Sequence, residues 1–350
     1  MRVLITGALG LVGSNYAAHC LRRGDSVVAL DNNARGESNR ENSNWLFTQM
    51  SPGSSLKIVD GDVSVRGHVD DAMAECGNVD LVVHAAAQSS VDKSMVDPEL
   101  DFRWNVIGTF NVLEAIRVGQ PTASMIYIAS NKIWDVTGWP VERTRERYFW
   151  LSRRVGPGEQ FPFHTDAKEP YGASKIAGFY YARCYAAMYG VNVVITVPSG
   201  MAGPRQYGKS AQGWLGWFTI ATMLGLPIKI CGDGAQVRDM LHVYDVCTAF
   251  DLLHTLSKKY PGEVFNLGGG PRNAISLIEA LEKIHVYTGN EPKIEYDDWR
   301  PQDNRVYISN IERLIGEGWS PKVGIDDLIK STCDWVRSEL PALKRLYLDR

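Results

Sequence analysis

Short runs of aliphatic and β-branched residues recur along the chain: RVLIT (2–6), SVVALD (26–31), LKIVDGD (56–62), LVVHAAA (81–87), MIYIAS (125–130) and VNVVITVPSG (191–200). Each reads as a strand. Between them lie longer segments with apolar residues at helical spacing, over 11–23, 105–118 and 172–190. This alternation predicts βαβ units and an α/β fold with a doubly wound, mostly parallel sheet. After about residue 197 the rhythm loosens into Gly, Pro and Trp clusters (GPRQYG, GWLGWF, GDGAQVRD), and helices return near 213–224, 244–258, 275–288 and 325–337. The expected organisation is a first domain over 1–196, with segments near 235–270 packing back on it. A smaller α/β domain over 197–350 would sit on the carboxyl edge of the sheet. Residues 136–170 form a long connection carrying Arg143, Arg145, Arg147, Arg153 and Arg154 together with Trp139, Tyr148, Phe149 and Trp150. Its aromatics favour an ordered lid or a partner contact over a disordered loop.

Composition narrows the function classes. The chain has 350 residues, 45% apolar and 22% charged, with a net charge of −3. That balance provides no basic field for nucleic acid or an anionic membrane. The apolar runs are far shorter than the ~18 residues that span a bilayer. The six cysteines (20, 76, 184, 231, 247, 333) form no C-x-x-C pair, so reduced thiols in a cytoplasmic protein are expected, with no metal site. The N-terminal MRVLITGALGLVG is apolar enough for a signal peptide, yet it carries one Arg, ordered glycines and no good cleavage site, and reads as mature structure.

The glycines of VLITGALGLVGSN suggest the first chemistry. Gly7, Gly10 and Gly13 follow the first strand and open a helix, with Leu11 and Val12 in its first turn. Glycine lets the backbone turn tightly and approach a pyrophosphate, whose charge rests on the helix N-terminus. The second strand ends in Asp31-Asn32, about 20 residues on, where a carboxylate accepts the ribose hydroxyls and repels a 2′-phosphate, favouring NAD over NADP. Asp62-Val63, after the third strand, would flank the adenine or form an ordinary strand-end turn.

EPYGASK (169–175) supplies the second chemistry. Pro170 marks a helix start, and the i, i+4 spacing stacks Tyr171 and Lys175 on one face. A phenol is a poor base at neutral pH. An ammonium one turn away and a cationic nicotinamide ring would bring it into working range.

Taken together, TGALGLVG, Asp31, HAAA (84–87), Asn105-Val106-x-Gly108-Thr109, Ser130 and YGASK resemble the extended short-chain dehydrogenase/reductases, over essentially the whole chain. The resemblance implies a Rossmann domain that binds NAD through the residues above, Ala85, Ala86, Asn105, Tyr171, Lys175 and Pro198. It implies Tyr171 as catalytic base and acid, Lys175 as the group that lowers its pKa, Ser130 as hydrogen-bond partner of the reacting oxygen, and Asn105 as structural support. It further implies a nucleotide-sugar substrate and a homodimer or higher homo-oligomer built by pairing helices, for which FYYARCYAAMY (179–189) is apolar enough; internal core is the alternative for that segment.

The residues after Ser130 bear on the reaction. Dehydratases of the superfamily place an acid there, whereas this chain has Asn131 and Lys132, which leaves hydride return to the opposite face of a keto-sugar, hence epimerisation. The Ser-Asn-Lys signature, the long connection, QGWLGWF (212–218), GDGAQVRDMLHVYD and RPQDNRVYISN resemble the CDP-paratose 2-epimerase (CDP-tyvelose epimerase) branch, whose members oxidise C2 of a CDP-sugar. The resemblance assigns Arg238 and Arg300 to the pyrophosphate and Gln206 and Trp214 to the nucleotide and sugar pockets, with Asn131 and Lys132 facing the sugar. Alternatives stand beside these assignments: Arg238 paired with its neighbour Asp239, Trp214 and Trp217 as core, and Lys132 as a turn residue. The chain departs from the pattern at Trp134-Asp135 and at Val197–Gly203. Asp135 restores a carboxylate near the strand end, so a dehydratase or net oxidoreductase, a 4-epimerase and a non-catalytic NAD sensor are the competing readings.

Overall fold

The structure is a computed structural model that describes residues 1–152, 155–163, 169–300 and 303–349. Arg153 and Arg154 of the long connection, and Pro301 and Gln302 of RPQDNRVYISN, lie outside the described residues. The chain forms two compact units. The first comprises Met1–Ile133, Phe163–Val197 and Val246–Phe265, and the second Trp134–Pro162, Pro198–Asp245 and Asn266–Arg350.

In chain order the elements are β1 (Arg2–Thr6), α1 (Leu11–Arg22), β2 (Ser26–Asp31), α2 (Glu37–Phe47), β3 (Ser55–Asp60), α3 (Arg66–Cys76), β4 (Leu81–His84), α4 (Val91–Val96) and α5 (Pro98–Phe102). A π-helical turn (Arg103–Ile107) then leads into α6 (Gly108–Gly119) and β5 (Ser124–Ile128). There follow a hairpin of β6 (Val141–Arg143) and β7 (Tyr148–Trp150), α7 (Pro170–Tyr189), β8 (Asn192–Pro198), β9 (Gly200–Ala202), α8 (Trp214–Leu224), β10 (Pro227–Cys231) and β11 (Val237–His242). The chain closes with α9 (Val243–Lys259), β12 (Val264–Leu267), β13 (Ala274–Ser276), α10 (Leu277–Thr288), β14 (Lys293–Asp297), β15 (Val306–Tyr307), α11 (Glu312–Gly316), α12 (Ile325–Ser338) and α13 (Leu340–Tyr347).

The main sheet has the order β12-β8-β5-β4-β1-β2-β3, and the ladders from β3 through β8 are parallel. This is the doubly wound arrangement expected from the alternation of short apolar runs and helices. The order reverses at β1 and β4, so the carboxyl ends of these strands flank a crevice, the usual ligand position in such sheets. Val3, Leu4 and Ile5 of β1 and Val82 and Val83 of β4 are fully buried, as strands covered on both faces must be.

Helix starts differ from the sequence reading in one place that matters. The helix expected from 105 is already under way at Pro98, where Asp97 caps it by accepting the Leu100 N–H at 3.0 Å. The π turn then adds a residue ahead of α6, a device common at functional sites. Helix α2 escaped the pattern because its buried face includes Ser38, Asn39 and Asn42, with Leu46 the only buried aliphatic.

The second unit has its own small sheet, β13-β11-β15 with β9 on β11, and a separate parallel pair, β10 and β14. Its core joins Leu215 and Phe218 of α8, Ile228 and Ile230 of β10, Leu281 and Ile284 of α10, and Leu328 and Ile329 of α12. Trp214 and Trp217 are partly buried against this cluster, with Trp214 edge-on to Phe218 at 5.4 Å.

Candidate active site

The glycine loop is shaped by backbone approach. Gly7 has φ +65°, and a Cβ there would lie 2.6 Å from the Ala86 amide nitrogen. A Cβ on Gly13 would collide with the Gly7 carbonyl. Only glycine fits both places. Gly10 is the N-cap of α1, makes no side-chain cap, and no acid stands in the first turn with Leu11 and Val12. The free N–H groups of that turn therefore face the loop as an anion site, which suits a pyrophosphate.

Asp31 closes the loop from β2. It is buried and accepts the Leu9 N–H at 2.9 Å, the Asn33 N–H at 3.0 Å and the Asn39 amide at 2.7 Å. Burial raises its pKa, and the bonds from Leu9 and Asn33 only partly offset that. Asn42 donates to the Leu9 carbonyl at 2.8 Å, so the polar face of α2 holds the loop from behind. Asn39 and Asn42 were missed in the sequence because nothing local distinguishes them from surface asparagines. Asn32 donates to Asp62 at 3.2 Å, as does the Trp104 indole at 2.9 Å. Burial of Asp62 would raise its pKa, but the hydrogen bonds from Ser64, Asn32 and Trp104 outweigh it and hold the carboxyl low. Asn111 donates to the Val63 carbonyl at 2.9 Å, and the Val63 side chain packs where Gly108 leaves room.

Ala85 and Ala86 are fixed by Thr6, whose carbonyl accepts the Ala85 N–H at 3.1 Å and whose hydroxyl accepts the Ala86 N–H at 3.2 Å. That hydroxyl also meets His84 Nδ1 at 2.8 Å, while His84 Nε2 meets Thr109 Oγ1 at 3.1 Å and Thr109 donates to the Asn105 carbonyl at 2.6 Å. The donors close only if His84 is neutral with its proton on Nε2. Burial, aided by the charge of Lys175, pushes its pKa down to about 3, in keeping with that tautomer.

Tyr171 and Lys175 both lie on α7 and are almost fully buried. Pro170 occupies the first turn, and the Tyr171 N–H donates to Ser94 Oγ at 3.2 Å. Burial pushes the phenol up to about 12; a hydrogen bond with Ser130 pulls the other way, and Asp101 and Glu169 add to the rise. Lys175 donates to the Ile128 carbonyl at 2.9 Å, and burial brings its pKa down to about 8 against the charge of Asp101. Asn131 and Lys132 form a short 3-10 turn after β5, and the Lys132 N–H donates to Ser130 Oγ at 3.2 Å. The structure thus brings Ser130, Tyr171, Lys175 and Asn105 into one buried polar cluster.

Five other predicted residues belong to the second unit. Pro198 ends β8 and is buried. Gln206 is buried, donates to the Met201 carbonyl at 2.9 Å, and packs on Gly213 and Gly216 at the start of α8, which Trp214 opens. Arg238 pairs with Asp303 at 2.6 Å, not with its neighbour Asp239, and also donates to the Val237 carbonyl. Arg300 is exposed. It lines a cavity of about 330 Å³ with Trp139, Trp150, Trp299, Asp303 and Arg305. Trp134 is buried and donates to Asn266 Oδ1 at 3.0 Å, and Asp135 caps the next turn by accepting the Thr137 N–H at 2.9 Å. The departure at 134–135 is therefore an anchor for the long connection.

Comparison with known proteins agrees with this geometry. Residues 3–268 match the NAD dependent epimerase/dehydratase family. The chain is 33% identical to the CDP-paratose 2-epimerase of Salmonella typhi, over 97% of this chain and all of that one. It is 28% identical to a dTDP-glucose 4,6-dehydratase of Streptomyces antibioticus, over 96% and 92% of the two chains. The UDP-glucose 4-epimerase of Thermus thermophilus, solved with NAD, superposes with a TM-score of 0.78 at 30% identity, over 96% of this chain and 99% of that one.

Proposed function

The chain belongs to the NAD dependent epimerase/dehydratase family, and from that premise we propose that it is a CDP-sugar 2-epimerase. Activity on a nucleotide sugar with NAD as cofactor is the family's common ground. The choice of base and carbon rests on the full-length similarity to a CDP-paratose 2-epimerase. The glycine cradle, the uncapped start of α1 and Asp31 fit a dinucleotide, so Gly7, Gly10, Leu11, Val12, Gly13, Asp31, Asn32, Asp62, Val63, Ala85, Ala86, Asn105 and Pro198 are the residues that would hold it. When bound, NAD supplies a reversible hydride acceptor and a positive ring close to the phenol.

The remaining chemistry belongs to side chains. Tyr171 takes a proton from a sugar hydroxyl, and Ser130 donates to the same oxygen as it becomes a carbonyl. The ammonium of Lys175 stabilises the phenolate electrostatically. Tyr171 returns the proton once hydride has come back on the opposite face, so no net redox occurs. Asn131 and Lys132 carry no carboxyl, which removes the acid that elimination of water needs at that place. Arg238 and Arg300 would bind the pyrophosphate, as forked guanidinium donors suit it, while Gln206 and Trp214 would shape the pocket. The NAD-binding domain is taken as 1–196 with segments near 235–270 packing back on it, and the substrate domain as 197–350, although Trp134–Pro162 belongs to the second compact unit and only Val246–Phe265 of the later segments to the first. A cytoplasmic location fits the family's chemistry; among the described residues no helix is long and apolar enough to cross a membrane.

A homodimer is part of the proposal. Phe110 and Val118 on α6 and Tyr180, Tyr181, Met188 and Tyr189 on α7 are exposed. An apolar face of this kind suits a second copy. Dehydration is the second reading, favoured by the similar dTDP-glucose 4,6-dehydratase and by Asp135. Incubation with a panel of CDP- and UDP-sugars, followed by NMR, tests the choice. A C2 epimer of a CDP-sugar with no lasting absorbance from reduced NAD supports the proposal; a 4-keto-6-deoxy product overturns it.

A further inference from the structure

Among the described residues, Asp101 is the one carboxylate sealed inside the cluster around Tyr171 that the mechanism above does not use. It is 1% exposed. It stands on α5, four residues before Asn105, which the π turn Arg103–Ile107 carries. Its Oδ1 accepts the Gln88 amide at 3.0 Å and the Asn105 amide at 3.0 Å. Among the described residues its Oδ2 is buried and makes no close hydrogen bond. A sealed carboxylate is costly unless hydrogen bonds and a nearby cation support its charge, as Gln88, Asn105 and Lys175 do here.

The bonds lead from Asp101 to the catalytic helix. The Asn105 amide also reaches Ser174 Oγ at 3.0 Å, and Ser174 donates to the Tyr171 carbonyl at 3.0 Å. The Asn105 carbonyl is the acceptor that ends the chain from Thr6 through His84 and Thr109. Asn105 is thereby held on both sides, toward the alanines of the glycine cradle and toward the first turn of α7. Its two amide protons serve three acceptors, Asp101 Oδ1, Ser174 Oγ and the Gln88 carbonyl, and the ionised one among them binds most strongly.

We propose that Asp101 is a positioning residue of the catalytic pair: its carboxylate fixes Asn105 and the first turn of α7, and its charge balances the buried ammonium of Lys175. The groups facing it are Tyr171, Ser174 and Lys175 from α7, and Gln88 and Asn105 from its other sides; Glu169, ahead of α7, acts on Tyr171. The helix α4, which packs against α5, carries Asp92 and Lys93, and Lys93 lies over the Trp104 ring. Burial raises the pKa of Asp101, while Ser174, Gln88 and the charge of Lys175 oppose the rise. In turn Asp101 raises both Lys175 and Tyr171. Removing the charge therefore moves both ionisations to lower pH.

This inference rests on Tyr171 acting as the base, so the test separates the two. Asp101→Asn keeps the shape and one acceptor; Asp101→Ser leaves space for water and serves if the first variant does not fold. Epimerisation is followed against pH in both, with NAD binding and Tm measured alongside. The expected result is a displacement of the whole kcat/KM–pH profile to lower pH by about one unit, the effect of one buried charge. KM and NAD affinity should stay within about twofold, because Asp101 touches neither ligand. A profile that keeps its position while activity and Tm fall together overturns the proposal and leaves a structural acid. Tyr171→Phe is the control: if it retains full activity, the assignment of the base fails, whatever Asp101 does.

Discussion

Tyr171 and Arg238 are held in opposite ways. Around Tyr171 the polar neighbours Ser94, Asp101, Asn105, Ser130 and Ser174 are buried and bonded mainly to other buried groups. Arg238 is partly exposed, and the residue that fixes it, Asp303, is exposed to a similar extent. Nearby stand aromatic side chains with arginines laid over them, such as Arg305 over the Trp299 ring at 3.2 Å. In the proposed mechanism the first arrangement tunes protons, for which a dry, rigid setting matters most. The second would, under the proposed function, exchange the Asp303 carboxylate for a substrate anion.

The largest expected effect breaks the first arrangement at its centre. Tyr171→Phe should lower epimerisation by about 10³-fold while NAD still binds, read by NMR of the sugar and by cofactor titration. Gly7→Ala comes next. Its Cβ would meet the Ala86 backbone and its φ of +65° disfavours any side chain. NAD affinity should fall at least ~10-fold, measured by calorimetry. Arg238→Lys probes the second arrangement: loss of the fork should raise KM about tenfold with kcat little changed.

The smallest effect distinguishes the units by pH. Asp239, fully buried on β11, accepts the Gly270 N–H at 3.0 Å, and burial pushes its pKa up to about 6. The folded protein thus keeps a proton that the unfolded chain releases at the ordinary carboxyl value of 3.8. Its contribution to stability is full below that value and is lost as pH rises toward 6. Asp239→Asn should flatten the decline in Tm across this window by a small margin, seen in thermal melts, with epimerisation unchanged.

What could be read in the sequence follows the same division. The glycine loop, Asp31 and the Tyr171–Lys175 pair were legible because each depends on local spacing: a turn needs its glycines and one helix face needs i, i+4; Ser130 was picked out only by the family resemblance. Partnerships across the fold were not. Asp303 lies 65 residues from Arg238, so the sequence offered Asp239 next door instead. Helix α2 hid because it buries asparagines that hold Asp31 and Leu9, and apolar periodicity cannot register a polar buried face. Trp134 read as a departure from the pattern until its indole was seen donating to Asn266, 132 residues away.

In the proposed mechanism, hydrogen leaves one face of a sugar carbon and returns to the other without reaching solvent. A CDP-sugar deuterated at C2 tests this directly in ordinary water. Retention of the deuterium at C2 of the inverted product is the predicted result. Loss of the label to solvent, or its movement to another carbon with release of water, would contradict it.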